Sequence, residues 1–135
     1  MLTDFAAYKS WNPFVTDASG EAKEGARLRL RMQPPGARGF TFRPVVLKAS
    51  PPRELRWLGR TFLPAIFDGE HSFQLLPKQS GGTHFVQSER FTGLLVPLFM
   101  MFLAKSTQAG FEALNQAIKR QAESLERGIQ SQQTA

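Results

Sequence analysis

The spacing of apolar residues changes once along this chain, near Pro97, and that change constrains the fold more than any other feature. Beyond it Phe111, Leu114, Ile118, Ala122 and Leu125 recur at i, i+3, i+7, i+11 and i+14, the period of a helix with one apolar face. Glu112, Lys119, Arg120, Glu123 and Glu126 fall on its other faces. Proline is accepted in a first helical turn, so a helix is expected over 96–127, stopping at Gly128 and leaving 128–135 as a frayed tail. At 1.5 Å per residue such a helix reaches about 45 Å, enough to cross a small domain.

The preceding residues read with period two, the spacing of strands. Arg27 to Met32 alternates strictly, with Arg27, Arg29 and Arg31 expected to face solvent. Phe40 to Lys48 follows the Pro34-Pro35-Gly36 turn as a second run, in which Pro44 implies an edge or a bulge. After Pro51-Pro52, Glu54 to Arg60 places Leu55, Trp57 and Gly59 on one face. Glu70 to Leu76 and His84 to Thr92 form a hairpin around Gly81-Gly82, and Thr61 to Gly69 is expected to be an apolar loop. Strands in series with short connections give an antiparallel sheet over 26–92, and with the helix an α+β chain forming a single domain over 1–135.

The chain has no cysteine, which removes disulfides, thiolate metal sites and thiol nucleophiles. No metal cluster, cofactor motif or convincing nucleophile is found, so no metal, cofactor or catalytic residue is assigned. Met1 to Lys9 lacks the pattern of a secretory signal, and the run Leu94 to Ala104 is too short to span a bilayer, so a transmembrane segment is not expected and a cytoplasmic protein is. The net charge of +6 would suit an anionic partner. The arginine stripe nevertheless has no interleaved aromatics and no recognition helix, so it reads as a solvated strand face and no nucleic-acid partner is expected.

The hairpin turn centred near Ser80 pairs residues whose numbers sum to about 160, because a one-residue slip would move every side chain to the wrong face. Leu75 then faces Phe85, Phe73 faces Gln87, and His71 faces Glu89. The same logic across the apolar loop sets Gly59 beside His71, Trp57 beside Phe73 and Leu55 beside Leu75. One face collects Leu55, Trp57, Phe73, Leu75 and Phe85, with His71, Gln87 and Glu89 as a polar cluster at one end. His71 and Glu89 could orient a ligand's polar group, serve as base and acid, or satisfy each other as buried polar groups must. The run Leu94 to Leu103, with Phe99, Met100, Met101 and Phe102, is apolar nearly all round, as in a helix that is buried on several sides, lines a cavity or docks on a membrane surface.

Trp11-Asn12-Pro13-Phe14, the spaced Gly20 and Gly25, Phe42 to Leu47, Glu54-Leu55-Arg56-Trp57, Gly69-Glu70-His71-Ser72-Phe73, Glu89-Arg90-Phe91-Thr92-Gly93 and Gly110-Phe111 together resemble the START-like SRPBCC superfamily, nearest its polyketide cyclase/dehydrase-type branch. The resemblance runs from about residue 8 to 125. It implies a helix-grip fold, a curved antiparallel sheet of five to six strands around the C-terminal helix, with an apolar cavity that holds a lipid, polyketide or aromatic molecule. It assigns a cavity-lining role to Trp11, Trp57, His71, Phe73, Glu89 and Phe91, and an entrance to Phe62, Phe67, Phe99 and Phe102. Enzymes of cyclase or dehydratase type, here using His71 and Glu89, and chaperone-activating modules share the fold. Members of the superfamily begin with a strand and a helix, whereas residues 1–15 match only the end of that helical segment, so the resemblance also implies an open sheet edge that a homodimer could complete.

Overall fold

The computed structural model describes residues 1–61 and 63–133. The chain opens with a 3-10 turn, Phe5–Ala7, and a single helical turn, α1, Tyr8–Trp11. Asp4 caps the first, its Oδ1 accepting from the Ala7 amide at 3.3 Å. Asn12 ends the second: its Oδ1 accepts from the amides of Phe14 at 3.0 Å and Val15 at 2.8 Å, and this side-chain turn aims the chain into the first strand.

Seven strands follow among the described residues: β1 Val15–Ser19, β2 Arg29–Met32, β3 Phe40–Phe42, β4 Val45–Ser50, β5 Glu54–Thr61, β6 Phe67–Pro77 and β7 Thr83–Thr92. All pair antiparallel, β1-β2-β3 in one sheet and β4-β5-β6-β7 in the other. The expected sheet of five to six strands therefore begins earlier, at Val15, because Val15 and Ala18 are buried at a spacing that period-two reading passes over. The single run expected over Phe40 to Lys48 is two strands. Pro44 has no amide hydrogen to give, and its carbonyl instead accepts from the Leu28 amide at 2.9 Å. That bond, with Gly25 N to Val46 O and Val46 N to Ala26 O, each 2.9 Å, stitches the two sheets along one seam.

The alternation holds in the folded chain: Leu28 and Leu30 are buried while Arg27, Arg29 and Arg31 are exposed. The hairpin of β6 and β7 has the expected register, Leu75 with Phe85, Phe73 with Gln87 and His71 with Glu89. The pairing of β5 with β6 differs by two residues, setting Gly59 opposite Gly69, Trp57 opposite His71 and Leu55 opposite Phe73. Strand β5 runs on to Thr61 and β6 starts at Phe67, so the connection is shorter and its centre earlier than the expected Thr61 to Gly69 loop. An even slip keeps every side chain on its face and changes only its neighbour.

Helix α2, Val96–Gln133, has 38 residues and is about 57 Å long at 1.5 Å per residue. It continues through Gly128 rather than stopping there, and residues 128–133 are helical rather than a tail. A glycine costs a helix about 1 kcal/mol, which the flanking turns absorb. Among the described residues, α2 is buried at Gly110, Leu114, Ala117 and Ile118, near its middle. The stripe read from the sequence thus divides: Leu114 and Ile118 are in the core, whereas Ala122 and Leu125 are exposed.

Helix α2 comes close to the rest of the chain at Gly110, where a Cβ would collide with the Phe14 ring. Phe14 is itself fixed edge-to-face on Phe111, centroids 5.6 Å apart. Gly110→Ala is expected to lower stability by about 1–2 kcal/mol despite the better helix propensity of alanine, because overpacking a rigid aromatic costs more than the propensity returns. Thermal denaturation checks this, and an unchanged or raised Tm contradicts it.

Tyr8 is fully buried and its hydroxyl donates to the Leu2 carbonyl at 2.6 Å, tying down the N-terminal residues. Burial, with the Asp4 charge adding to it, raises the phenol well above its ordinary value of 10.0. The folded state holds that proton more tightly than the unfolded chain, so the associated stability is complete below pH 10 and declines as pH rises beyond it. Tyr8→Phe should cost about 1–2 kcal/mol at neutral pH. It should also flatten the alkaline fall in stability, which denaturant titrations at neutral and alkaline pH would measure.

Candidate functional site

The inner face of β5, β6 and β7 carries an aromatic and polar cluster beneath α2. Trp57 and His71 are cross-strand neighbours, and their rings stack at 5.1 Å with 12° between planes. Phe73 meets the edge of both, at 5.2 Å from Trp57 and 4.6 Å from His71, and Phe111 of α2 closes over His71 at 5.2 Å. His71 is 5% exposed. Its Nδ1 is hydrogen-bonded to Glu89 Oε2, and its Nε2 lies 3.3 Å from the Gln87 side-chain amide nitrogen. The Glu89 carboxylate and the Gln87 amide thus bracket the two ring nitrogens. Glycine at position 69 makes the arrangement fit, since a Cβ there would sit 2.6 Å from Glu89 Oε1. Both ring nitrogens of His71 are thus engaged within the protein, and Trp57, Phe73 and Phe111 pack around its ring. One polar atom of the cluster is unsatisfied: Gln87 Oε1 is buried without a partner among the described residues.

A cavity of about 680 Å³ lies elsewhere along the helix, between its C-terminal half, the ends of β5 and β6, the Pro51–Pro52 turn and the N-terminal residues. Leu55 and Leu75 are contributed by the sheet, Leu2 and Met1 by the N-terminus, and Ala122, Leu125 and Ile129 by α2. Glu54, Glu126, Gln130 and Thr3 bring polar groups to it. Glu54 is already paired, with Lys48 Nζ at 3.0 Å and Arg56 Nε at 3.4 Å. Leu125 and Ile129 are 49% and 57% exposed although both face an apolar wall.

Of the residues the sequence singled out, Leu55 and Leu75 line this cavity. Trp57, His71, Phe73, Phe85, Gln87 and Glu89 form the packed cluster, Phe85 stacking on Phe73 at 5.7 Å. At the other end of the sheet Phe91 and Phe99 each meet Phe67, at 5.3 Å and 5.0 Å. Trp11 packs on Tyr8, 5.0 Å away. Phe62 and the side chain of Phe102 lie outside the described residues. Sequence reasoning missed the cavity's N-terminal wall and Ile129. Ile129 continues the stripe four residues past Leu125, a signal hidden by ending the helix at Gly128. Among the described residues no group of three or more potential metal ligands occurs, and no helix is long and apolar enough to cross a membrane.

Solved structures of the same fold place this geometry in context. A Rhodobacter sphaeroides protein matches at TM-score 0.67 and 20% identity, over 92% of this chain and 81% of its own. A Staphylococcus aureus protein of unknown function matches at TM-score 0.61 and 16% identity, over 93% and 84%. The di-domain ARO/CYC protein StfQ of the steffimycin biosynthetic pathway matches at TM-score 0.55 and 14% identity, over 90% of this chain and 45% of its own. These likenesses establish the α+β helix-grip fold. No curated protein matches the chain. Residues 1–123 match the family described as polyketide cyclase / dehydrase and lipid transport, and this chain belongs to that SRPBCC-type family.

Proposed function

We propose that the protein binds a hydrophobic small molecule, a lipid, polyketide or aromatic, in the cavity between the C-terminal half of α2 and the sheet, without catalysing a reaction on it. The observation that carries this reading is the interrupted burial of one continuous stripe. Leu114 and Ile118 are covered by protein, while Ala122, Leu125 and Ile129 continue the same face over an apolar cavity with nothing upon them. Covering the exposed halves of Leu125 and Ile129 would contribute about 1 kcal/mol each, together about thirtyfold in affinity. The cavity volume is in the range of sites for small apolar ligands.

His71 and Glu89 have a different part in this account. Their pairing fills the space under Phe111 and satisfies two buried polar groups at the point where α2 is clamped. A cyclase or dehydratase reading is favoured by the family description and by the unpartnered Gln87 Oε1, which could receive a polar group of a substrate.

Ile129→Glu, at an exposed position, should leave Tm nearly unchanged and weaken binding of a fluorescent apolar probe by about tenfold or more, since a carboxylate would then have to be desolvated. Undiminished binding contradicts the cavity assignment. Glu89→Ala should cost about 1–3 kcal/mol of stability by stranding His71 Nδ1, while probe affinity changes less than about threefold. Loss of probe binding in a variant that still melts cooperatively would instead favour the substrate-contacting reading.

A further inference from the structure

The outer surface of the sheet, opposite the ligand cavity, carries a second concavity at the seam between the two sheets. It measures about 360 Å³ and is lined by Arg27, Arg43, Val45, Leu47, Leu58 and Arg60. Local structure explains why three guanidinium groups converge there. Arg27 is bridged antiparallel to Val45, Arg43 occupies the break between β3 and β4 beside Pro44, and Arg60 is near the end of β5. The floor is apolar because Val45 and Leu58 are cross-strand partners, and Leu47 stands beside them 39% exposed.

The charge in this groove is not balanced. Arg60 Nε lies 3.6 Å from Asp68 Oδ2, a long contact. Arg27 and Arg43 have no acidic partner within 4.0 Å among the described residues, and no acidic side chain lines the groove. The neighbouring stripe residue Arg29 differs, being paired with Asp17 at 2.6 Å. Two uncompensated guanidinium groups match a dianion, and their planar donors suit phosphate oxygens. The three aliphatic floor residues add a surface on which an apolar substituent can rest.

We propose that this groove binds a phosphomonoester carried on a small apolar group, at a site separate from the hydrophobic cavity. The phosphate sits between Arg27 and Arg43 with Arg60 at its side, and the organic part covers Val45, Leu47 and Leu58. This assignment does not rest on the function proposed for the cavity, because the two sites share no residue.

Phenyl phosphate, titrated at low salt and followed by amide chemical shifts, tests it. Saturable binding should perturb residues 27, 43, 45–47 and 58–60, and should weaken by about tenfold or more in the Arg27→Gln/Arg43→Gln double variant. Both arginines are exposed, so the double variant should melt as the parent does. Arg29→Gln should change the affinity less than about twofold, and inorganic phosphate should bind more weakly than the ester. Absence of saturable binding, equal losses in the Arg29 variant, or inorganic phosphate binding as tightly would overturn the proposal. Tighter binding of a single-stranded oligonucleotide than of phenyl phosphate would overturn it as well, in favour of a phosphate-tracking surface.

Discussion

The hydrophobic cavity of this fold depends on the place near the middle of α2 where the helix is held against the rest of the chain. Gly110 admits the Phe14 ring, Phe111 closes over His71, and Leu114 and Ile118 enter the core. Clamped near its middle, a helix about 57 Å long at 1.5 Å per residue extends past the covered surface in both directions. Towards its start, Phe99 meets Phe67, which stacks in turn on Phe91, so aromatics of the chain itself pack against the helix there. Towards its end, the apolar face remains but the protein beneath it recedes, and the cavity is the result.

The polar cluster under the clamp follows from the same geometry. A histidine on the inner face of a sheet must have both nitrogens satisfied once a helix covers it. Glu89 and Gln87 come from the adjacent strand in register, and Gly69 leaves room for the carboxylate. The stack on Trp57 then makes His71 part of the packing between sheet and helix. An acid and base pair in the centre of a fold whose relatives include cyclases invites a catalytic interpretation. Here the ring's hydrogen-bonding capacity is used within the protein.

Much of this was readable from residue spacing. Period-two alternation placed Leu55, Trp57 and Phe73 inside and the arginines outside, and the paired glycines after Lys78 set the register of β6 and β7 to the residue. The register across residues 62–66 was less accessible, because apolar loop residues such as Ile66 do not announce where a strand ends. Strand β1 was hidden because it is short and its two buried positions, Val15 and Ala18, are three apart, the outcome of a bulge after Val15. Cavity position was the least legible feature. It depends on where the helix is clamped and on the N-terminal residues held by Tyr8, contacts between distant parts of the chain that no local pattern encodes. The sequence identified the apolar face but not which part of it the protein leaves uncovered.

The central claim is that the uncovered part is where a hydrophobic ligand sits. Methyl-labelled protein titrated with dodecanoate tests it most directly by nuclear magnetic resonance. The account predicts saturable shifts at the methyls of Leu55, Leu75, Leu125 and Ile129, with those of Leu63 and Leu98 unmoved. Shifts centred on Leu63 and Leu98, or no saturable shift at the four cavity residues, would contradict it.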